Sequence, residues 1–335
     1  MKQILVSIDS LHNEFKRVLI KNGFTESKAA KCARIFTENT LDGVNSHGIN
    51  RFPRFIDYIN KGFINVDSSP VLTHSAGTLE QYDGRLGPGP LNALYCSGRA
   101  MELADEHGMG CVAISNTNHW MRGGTYGWYA ARKGYAFIGW TNTEANMPAW
   151  GAKNRKLGNN PLVLAVPYGT EAIVLDFALS QFSYGKMESC QLNSQLLPFP
   201  GGFSNKGILT NDPEEILSTR RALPVGYWKG AGLSLLLDIL AAILSGGAST
   251  SQLSKQEAEY GLSQVFISFC LKKLSNFPLI EKTISEIIDD LKASVPDETE
   301  KEVRYPGERV VKDRAHNLKY GIPVNKEMWE KVNSL

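Results

Sequence analysis

The sequence predicts a mixed α/β (α+β) protein in which a helical lobe, drawn from both ends of the chain, sits beside a core of strands and helices. Three observations carry that expectation. Residues 1–75 place apolar side chains at helical spacing, with capping residues between the runs. Residues 76–294 alternate amphipathic helical segments with apolar runs of strand length. Residues 295–335 are charged and return to a helical pattern, so the tail can rejoin the first lobe. A chain of 335 residues suits such a division, because domains run to roughly 100–200 residues.

The elements follow in order. Leu11, Phe15, Val18, Leu19 and Ile20 form an apolar stripe that Gly23 ends as a C-cap. Thr25 reads as the N-cap of a second helix through Ala29, Ala33, Ile35 and Phe36. That helix runs out into the loop Asp42-Gly43-Val44-Asn45-Ser46-His47-Gly48, and residues 52–59 read as a third helix closed by Gly62. In the core, 91–107 predict an amphipathic helix stopped by Gly108-Met109-Gly110, 111–115 a strand, 126–133 a helix and 136–142 a strand. Residues 162–167 and 172–177 read as strands, 229–246 as a helix buried against the sheet, and 265–272 as a strand. In the tail, 296–302 read as an exposed loop, and 309–320 and 326–332 as helices.

Composition narrows the function classes. Hydrophobic residues make up 42% and charged residues 21%, enough apolar material for a sizeable core. The net charge is only +2 and no basic block stands out, so no electrostatic footprint for nucleic acid is present. The five cysteines are scattered and never form Cys-x-x-Cys, which predicts free thiols in a reducing compartment rather than disulfides or zinc. The six histidines show no ligand spacing, so no metal is expected. Ile4-Leu5-Val6 is too short for the core of an export signal, and Asp238 interrupts the most apolar stretch. A cytoplasmic protein without a membrane span is the expectation.

Familiar nucleotide motifs fail. Gly108-Met109-Gly110-Cys111-Val112-Ala113 spells G-x-G-x-x-A, but a helix precedes it and a strand follows, the reverse of a Rossmann turn. Neither a P-loop nor a G-x-S-x-G elbow occurs.

Three segments retain chemistry. In Asn45-Ser46-His47-Gly48-Ile49-Asn50-Arg51, the His47 imidazole titrates near neutrality and suits a proton carrier. Ser46 would orient it, and Arg51 would clamp a carboxylate. A loop histidine capping a helix end accounts for the same residues equally well. Asn116-Thr117-Asn118-His119-Trp120-Met121-Arg122-Gly123-Gly124 follows a strand, where α/β sheets bind ligands, although a hydrogen-bonded turn packed on Trp120 is the competing reading. Asp176 ends an apolar strand, and a buried carboxylate there would want a partner such as a histidine, or else serves as a strand-end cap. Trp228-Lys229 and Gly307-Glu308-Arg309 each open a helix, a geometry that favours anions.

Taken together, Asn45-Ser46-His47-Gly48, Asn118-His119, Asn142-Thr143, Trp150-Gly151-Ala152-Lys153, Gly158-Asn159-Asn160-Pro161, Leu175-Asp176-Phe177-Ala178 and Pro306-Gly307-Glu308 resemble the malate/L-lactate dehydrogenase type 2 family, in order along nearly the whole chain. That resemblance implies a non-Rossmann, largely antiparallel sheet flanked by helices, a homodimer and a nicotinamide cofactor, NADH before NADPH. It implies His47 as proton donor, with Asp176 or Ser46 orienting it and His119 as the rival acid. It places the cofactor along Ala172, Ile173, Val174, Leu175, Asp176, Phe177 and Ala178, at Trp228 and Lys229, at Gly307, Glu308 and Arg309, and near Thr143. The runs His47-Gly48-Ile49-Asn50-Arg51-Phe52-Pro53-Arg54-Phe55 and Trp120-Met121-Arg122-Gly123-Gly124 resemble the branch acting on keto sugar acids. Arg51, Arg122 and Trp120 would then bind the substrate. Another small 2-keto acid such as malate, lactate, ureidoglycolate or a cyclic imino acid is the alternative. A cofactor-free sugar-acid binding protein is the third.

Overall fold

The computed structural model describes residues 2–297 and 302–335. Residues 298–301 of the loop expected at 296–302 lie outside the described residues.

The chain opens with a short strand, β1 (Gln3–Val6), and three helices, α1 (Ile8–Lys21), α2 (Glu26–Leu41) and α3 (Phe52–Asn60). Ser7 and Thr25 start the first two helices by accepting hydrogen bonds from the Ser10 and Lys28 N–H groups, which satisfies donors that a helix end leaves open. Phe15, Phe36, Phe52 and Phe55 pack tightly between the three helices. This same cluster includes Ile322, Val324 and Val332 from the far end of the chain.

The core begins with β2 (Val71–Ala76), β3 (Leu79–Asp83), α4 (Gly89–His107), β4 (Met109–Thr117), α5 (Gly124–Ala131) and β5 (Tyr135–Thr141). Gly108 ends α4 in the left-handed region at φ 92°, so the G-x-G letters there are a helix stop followed by a strand. A two-stranded pair, β6 (Met147–Pro148) and β7 (Arg155–Leu157), precedes β8 (Leu162–Tyr168) and β9 (Glu171–Phe177). Next come α6 (Tyr184–Leu192), the small ribbon β10 (Gly202–Phe203) and β11 (Leu209–Thr210), and α7 (Pro213–Thr219). The long helix α8 (Trp228–Ser245), the single turn α9 (Thr250–Leu253), β12 (Leu262–Cys270) and α10 (Phe277–Lys292) complete the core. The tail is α11 (Glu308–Tyr320), β13 (Ile322–Asn325) and α12 (Lys326–Asn333).

Seven strands form one sheet in the order β2-β3-β4-β12-β5-β8-β9. Every neighbouring pair is antiparallel except β3–β4. The sheet is therefore mixed and largely antiparallel, as expected. Alternation along β4 divides the core: Val112 and Ile114 pack under α4 and α5, whereas Cys111 and Ala113 face the layer that holds α8.

Helix α8 corrects one expectation. Ala231, Ser234, Leu237, Ala241 and Ser245 are buried, but Leu235, Leu236, Ile239, Leu240 and Ile243 face outward, Ile243 being 64% exposed. The sequence is apolar on all sides, so its pattern could not reveal that only one face is covered. By length and composition alone these 18 residues are apolar enough to cross a membrane. Here their inner face is taken by the sheet, and Asp238 accepts hydrogen bonds from Asn142 and the Thr250 N–H.

Two pairings position the site. β1 pairs antiparallel with β13 and draws the tail into the helical lobe. Pro306 accepts a bond from the Val174 N–H on the outer edge of β9. Gly307 lies so close to that edge that a Cβ would sit 3.2 Å from the Val174 nitrogen, and its φ of 91° suits glycine.

Candidate active site

His47 ends a one-turn 3-10 helix (Asn45–His47) between α2 and α3. Helix α2 fixes that turn. The Asn39 amide donates to the His47 carbonyl (3.0 Å), and Thr40 Oγ1 accepts from the Ile49 N–H (3.0 Å). A Cβ on Gly48 would lie 2.3 Å from Thr40 Oγ1, so the glycine after the histidine is dictated by this close approach.

His119 comes from the loop between β4 and α5. Asn118 staples that loop by donating to the carbonyls of Phe63 (3.1 Å), Leu86 (2.8 Å) and Gly87 (3.1 Å). The two imidazoles lie nearly parallel, 17° apart, with centroids separated by 5.9 Å. His119 Nδ1 accepts from the Met121 N–H (3.0 Å), so the neutral ring carries its proton on Nε2. His47 Nδ1 meets Ser46 Oγ at 3.0 Å.

The fold lowers both imidazole pKa values. Burial, with the Arg51 and Arg122 cations adding to it, pushes His47 down to about 4. Burial and then Arg51 hold His119 well below the ordinary range. Both rings are thus neutral at pH 7 in the free protein.

The partners expected from the sequence are redistributed. Asp176 Oδ2 accepts from the Gly124 N–H (2.7 Å) and lies 3.9 Å from Arg122 Nε, so Ser46, not Asp176, is the group hydrogen-bonded to His47. Burial raises the Asp176 pKa, with Arg122 and the Gly124 N–H opposing. Arg122 is 6% exposed and bound to Asp42 at 2.5 Å, so its charge is largely balanced within the protein. Trp120 is also withdrawn. It is 1% exposed and packs against Tyr126 and Phe266 under the sheet.

Arg51 is different. It opens α3 and lines a small cleft of about 20 Å³ together with Arg54, Tyr58, Asn118, His119 and Glu259. Its nearest carboxylate, Glu259, is 3.9 Å away. Burial, then Arg54, lower the pKa of Arg51. Three lining residues escaped sequence reasoning. Arg54 was signalled by its i+3 spacing from Arg51, which puts both on one face of α3. Tyr58 follows at i+4 from Arg54 and accepts from its guanidinium (2.7 Å). Glu259 comes from the turn before β12 and left no local signal.

Of the residues expected to meet a cofactor, those of β9 and Gly307 are brought together at the sheet edge, where Leu175 is exposed. Glu308 pairs with Lys292 and Lys312, and Arg309 with Asp313. Trp228, 64% exposed, and Lys229 begin α8, and the segment leading to them pairs with the residues just after β9 through Ser180 and Pro224. Thr143 is engaged with Asn159 and Asn160 in a buried knot, away from any free surface. Lys186 is exposed in the first turn of α6, next to Gly185, which packs on Ser46. Among the described residues no cluster of ligating side chains could hold a metal ion.

Residues 6–333 match the family model for malate/L-lactate dehydrogenase. The chain belongs to this family. It is 43% identical over 331 residues to 2,3-diketo-L-gulonate reductase of Escherichia coli O6:K15:H31, covering 98% of this chain and 99% of that one. Malate dehydrogenase from Pyrococcus horikoshii OT3 superposes with a TM-score of 0.90 at 28% identity, covering 99% of this chain and 94% of the other. Sulfolactate dehydrogenase from Methanocaldococcus jannaschii does so at 0.89 and 26%, covering 98% and 95%. The protein is accordingly an oxidoreductase acting on small acids, and membership of a dehydrogenase family implies a nicotinamide cofactor.

Proposed function

We propose that this protein reduces 2,3-diketo-L-gulonate to 3-keto-L-gulonate with NADH. The observation that carries the reading is the cleft itself: two arginines from one face of α3 and the His119 imidazole line it, His47 stacks on His119, and among the described residues the one carboxylate in the lining is Glu259. The 43% identity to a reductase of that name supports the choice of substrate.

The residues divide the work. Arg51 binds the C1 carboxylate, with Arg54 beside it. His119, protonated on Nε2, donates a hydrogen bond to a substrate oxygen and holds the dicarbonyl in place. His47 delivers the proton to the oxygen that becomes the C2 hydroxyl, and Ser46 fixes its ring. Protonated His47 is the acid required, and the arriving carboxylate favours it by offsetting the charge of Arg51. When bound, the nicotinamide supplies the hydride. Leu175 and the β9 edge, Gly307, and the Trp228 ring with Lys229 at the α8 N-terminus fit an extended anionic dinucleotide, because a helix start and a cation favour phosphate. NADPH would use the same strip.

We also infer a cytoplasmic homodimer. All five cysteines are free and buried, as in a reducing compartment. The uncovered row Leu236, Ile239, Leu240 and Ile243 is an apolar surface of the kind that monomers rarely leave open.

The decisive experiment follows NADH oxidation with 2,3-diketo-L-gulonate, oxaloacetate, pyruvate and a cyclic imino acid. Fastest turnover with the diketo acid is expected. Preference for oxaloacetate would favour the malate reading, and no oxidation with any acid would sink both. Replacing Leu236 and Ile243 by Glu should yield a monomer in sedimentation; an unchanged mass would remove α8 from the interface.

A further inference from the structure

One carboxylate in the cleft lining stands beside the arginine assigned to the substrate's C1 carboxylate. Glu259, in the turn before β12, is 9% exposed. Its Oε2 lies 3.9 Å from the Arg51 guanidinium, too far for a hydrogen bond but close enough for strong attraction in a buried setting. Its Oε1 accepts one long bond, from the Glu144 N–H at 3.3 Å. A carboxylate can accept about four hydrogen bonds, so the Glu259 charge is sustained mainly by Arg51 rather than by donors. Burial accordingly pushes its pKa up, Arg51 opposes, and Glu144 adds to the rise.

The other charged groups around it offer no replacement for Arg51. From α3, Arg54 attracts Glu259 more weakly and donates to Tyr58 (2.7 Å). From the loop after β5, Glu144 repels it and is paired with Arg220 (2.6 Å). Asp57 and Lys61 pair with each other (2.8 Å), and Glu257 is a further negative group on the same turn. His119 lines the cleft as a neutral ring. The turn itself is anchored. The Tyr260 ring stacks on Phe63, 7° from parallel with centroids 4.9 Å apart, and Ser254 Oγ accepts from the Ala145 N–H (2.8 Å). Glu259 therefore keeps its place when Arg51 turns to a ligand.

We propose that Glu259 is a positioning residue that holds Arg51 toward the cleft in the free protein and takes up one proton from solvent when a substrate carboxylate engages that arginine. This rests on Arg51 as the carboxylate anchor proposed above, and on no particular acid. Before binding, Glu259 is the countercharge of Arg51. The arriving carboxylate takes over that part, and two carboxylates sharing one site raise the pKa of one of them. Protonation turns Glu259 into a neutral carboxyl, so a single carboxylate still faces Arg51 and the charge of the cluster is unchanged. The new O–H can donate to the carboxylate that displaced it. The sign of the pH dependence follows. Between the Glu259 pKa of the free protein and its higher value in the complex, binding consumes a proton, so affinity for the acid falls as pH rises through that window, by about tenfold per unit.

The test titrates 2,3-diketo-L-gulonate, or oxaloacetate should that prove the better substrate, into protein saturated with NAD+, which cannot reduce either. Calorimetry in two buffers of different ionisation enthalpy counts the protons taken up, and the same curves give the dissociation constant at each pH across the range in which the protein stays folded. Every protein carries His47→Gln, which removes the other group that the arriving carboxylate would charge, and folding is checked by thermal melting. The His47→Gln protein should take up close to one proton in the window, with its dissociation constant rising about tenfold per pH unit there. Adding Glu259→Gln should abolish the uptake and flatten the pH dependence. At the alkaline end that double variant should bind the acid more tightly, because a repelling charge has gone. A merely structural role would instead weaken binding at every pH and leave the proton count as it was, and that result would overturn the proposal. So would a His47→Gln protein that binds the acid without taking up a proton, an outcome that needs no Glu259 variant to fold. Adding Arg51→Gln tests the premise separately: affinity should drop about 10- to 100-fold, the value of a hydrogen bond to a charged group. Unchanged affinity there would overturn Arg51 as the anchor, whatever the Glu259 variant shows.

Discussion

Two arginines add to burial in depressing the pKa of His47, and the molecule treats them in opposite ways. Arg122 is bonded to Asp42, approaches Asp176, and shares Asp42 with Arg314. Arg51 has one carboxylate neighbour at 3.9 Å and an open cleft in front of it. The first arginine holds the helical lobe to the sheet, joining α2 to the loop before α5 and, through Arg314, to α11. The second is left with donors to spare. An arginine's role is therefore decided by how many carboxylates reach it, which residue type alone does not disclose.

Breaking the catalytic side of this contrast should give the largest change. His47→Gln should lower kcat for reduction by about 10²–10⁴-fold while leaving NADH binding intact. Near-normal turnover would transfer the acid role to His119. Breaking the structural side comes next. Arg122→Met leaves Asp42 and Asp176 buried with less compensation, and should cost about 3–5 kcal/mol in denaturant unfolding. A stable Arg122→Met enzyme with a raised KM would mean that Arg122 binds substrate after all. Arg51→Gln should do the reverse, with stability nearly unchanged and KM raised about 10- to 100-fold, as expected on losing a charge-assisted hydrogen bond.

The smallest effect sharpens the comparison through pH. In the free protein His47 titrates at about 4, so kcat/KM for reduction should decline as pH rises above that value, where the acid form disappears. In the complex the substrate carboxylate offsets Arg51, and the decline in kcat should move to higher pH. Coincident profiles would rule out that offset. The sign for stability follows from the same depression. Between pH 6.5 and about 4 the unfolded chain binds a proton that folded His47 does not, so this residue's contribution to stability is lost as pH falls through that window.

Much of this was legible in the sequence. Thr25 and Gly108 marked real helix boundaries, and the runs at 162–167 and 172–177 were real strands because their apolar residues had nowhere else to pack. Strand β2 escaped because all six of its residues are exposed and show no alternation of burial. Helix α10 did carry helical spacing in Leu279, Thr283, Ile287 and Leu291, yet only Ile288 is buried in it. At the site, His47, Ser46, His119 and Arg51 were legible because each lies beside its glycine, serine or asparagine context in the chain. Trp120 and Arg122 were misjudged for a common reason. Polar and aromatic residues in a loop look available until the fold supplies Asp42, Tyr126 and Phe266 from elsewhere. Glu259, 212 positions beyond His47 by subtraction of their numbers, joins the cleft only in three dimensions.

The pairing of Gln3–Val6 with Ile322–Asn325 has a consequence for how the protein is made. A ribosome adding roughly 5–20 residues per second needs tens of seconds to travel between those two strands. Throughout that time the first three helices are complete but lack Ile322, Val324 and Val332, which fill their shared cluster. This early-made segment is thus late to close, and a nascent chain must shield Phe15, Phe36 and Phe52 until residues 322–332 arrive. Conditions that slow translation lengthen that exposure, while ample chaperone, which covers those side chains until closure, should raise the yield of folded protein.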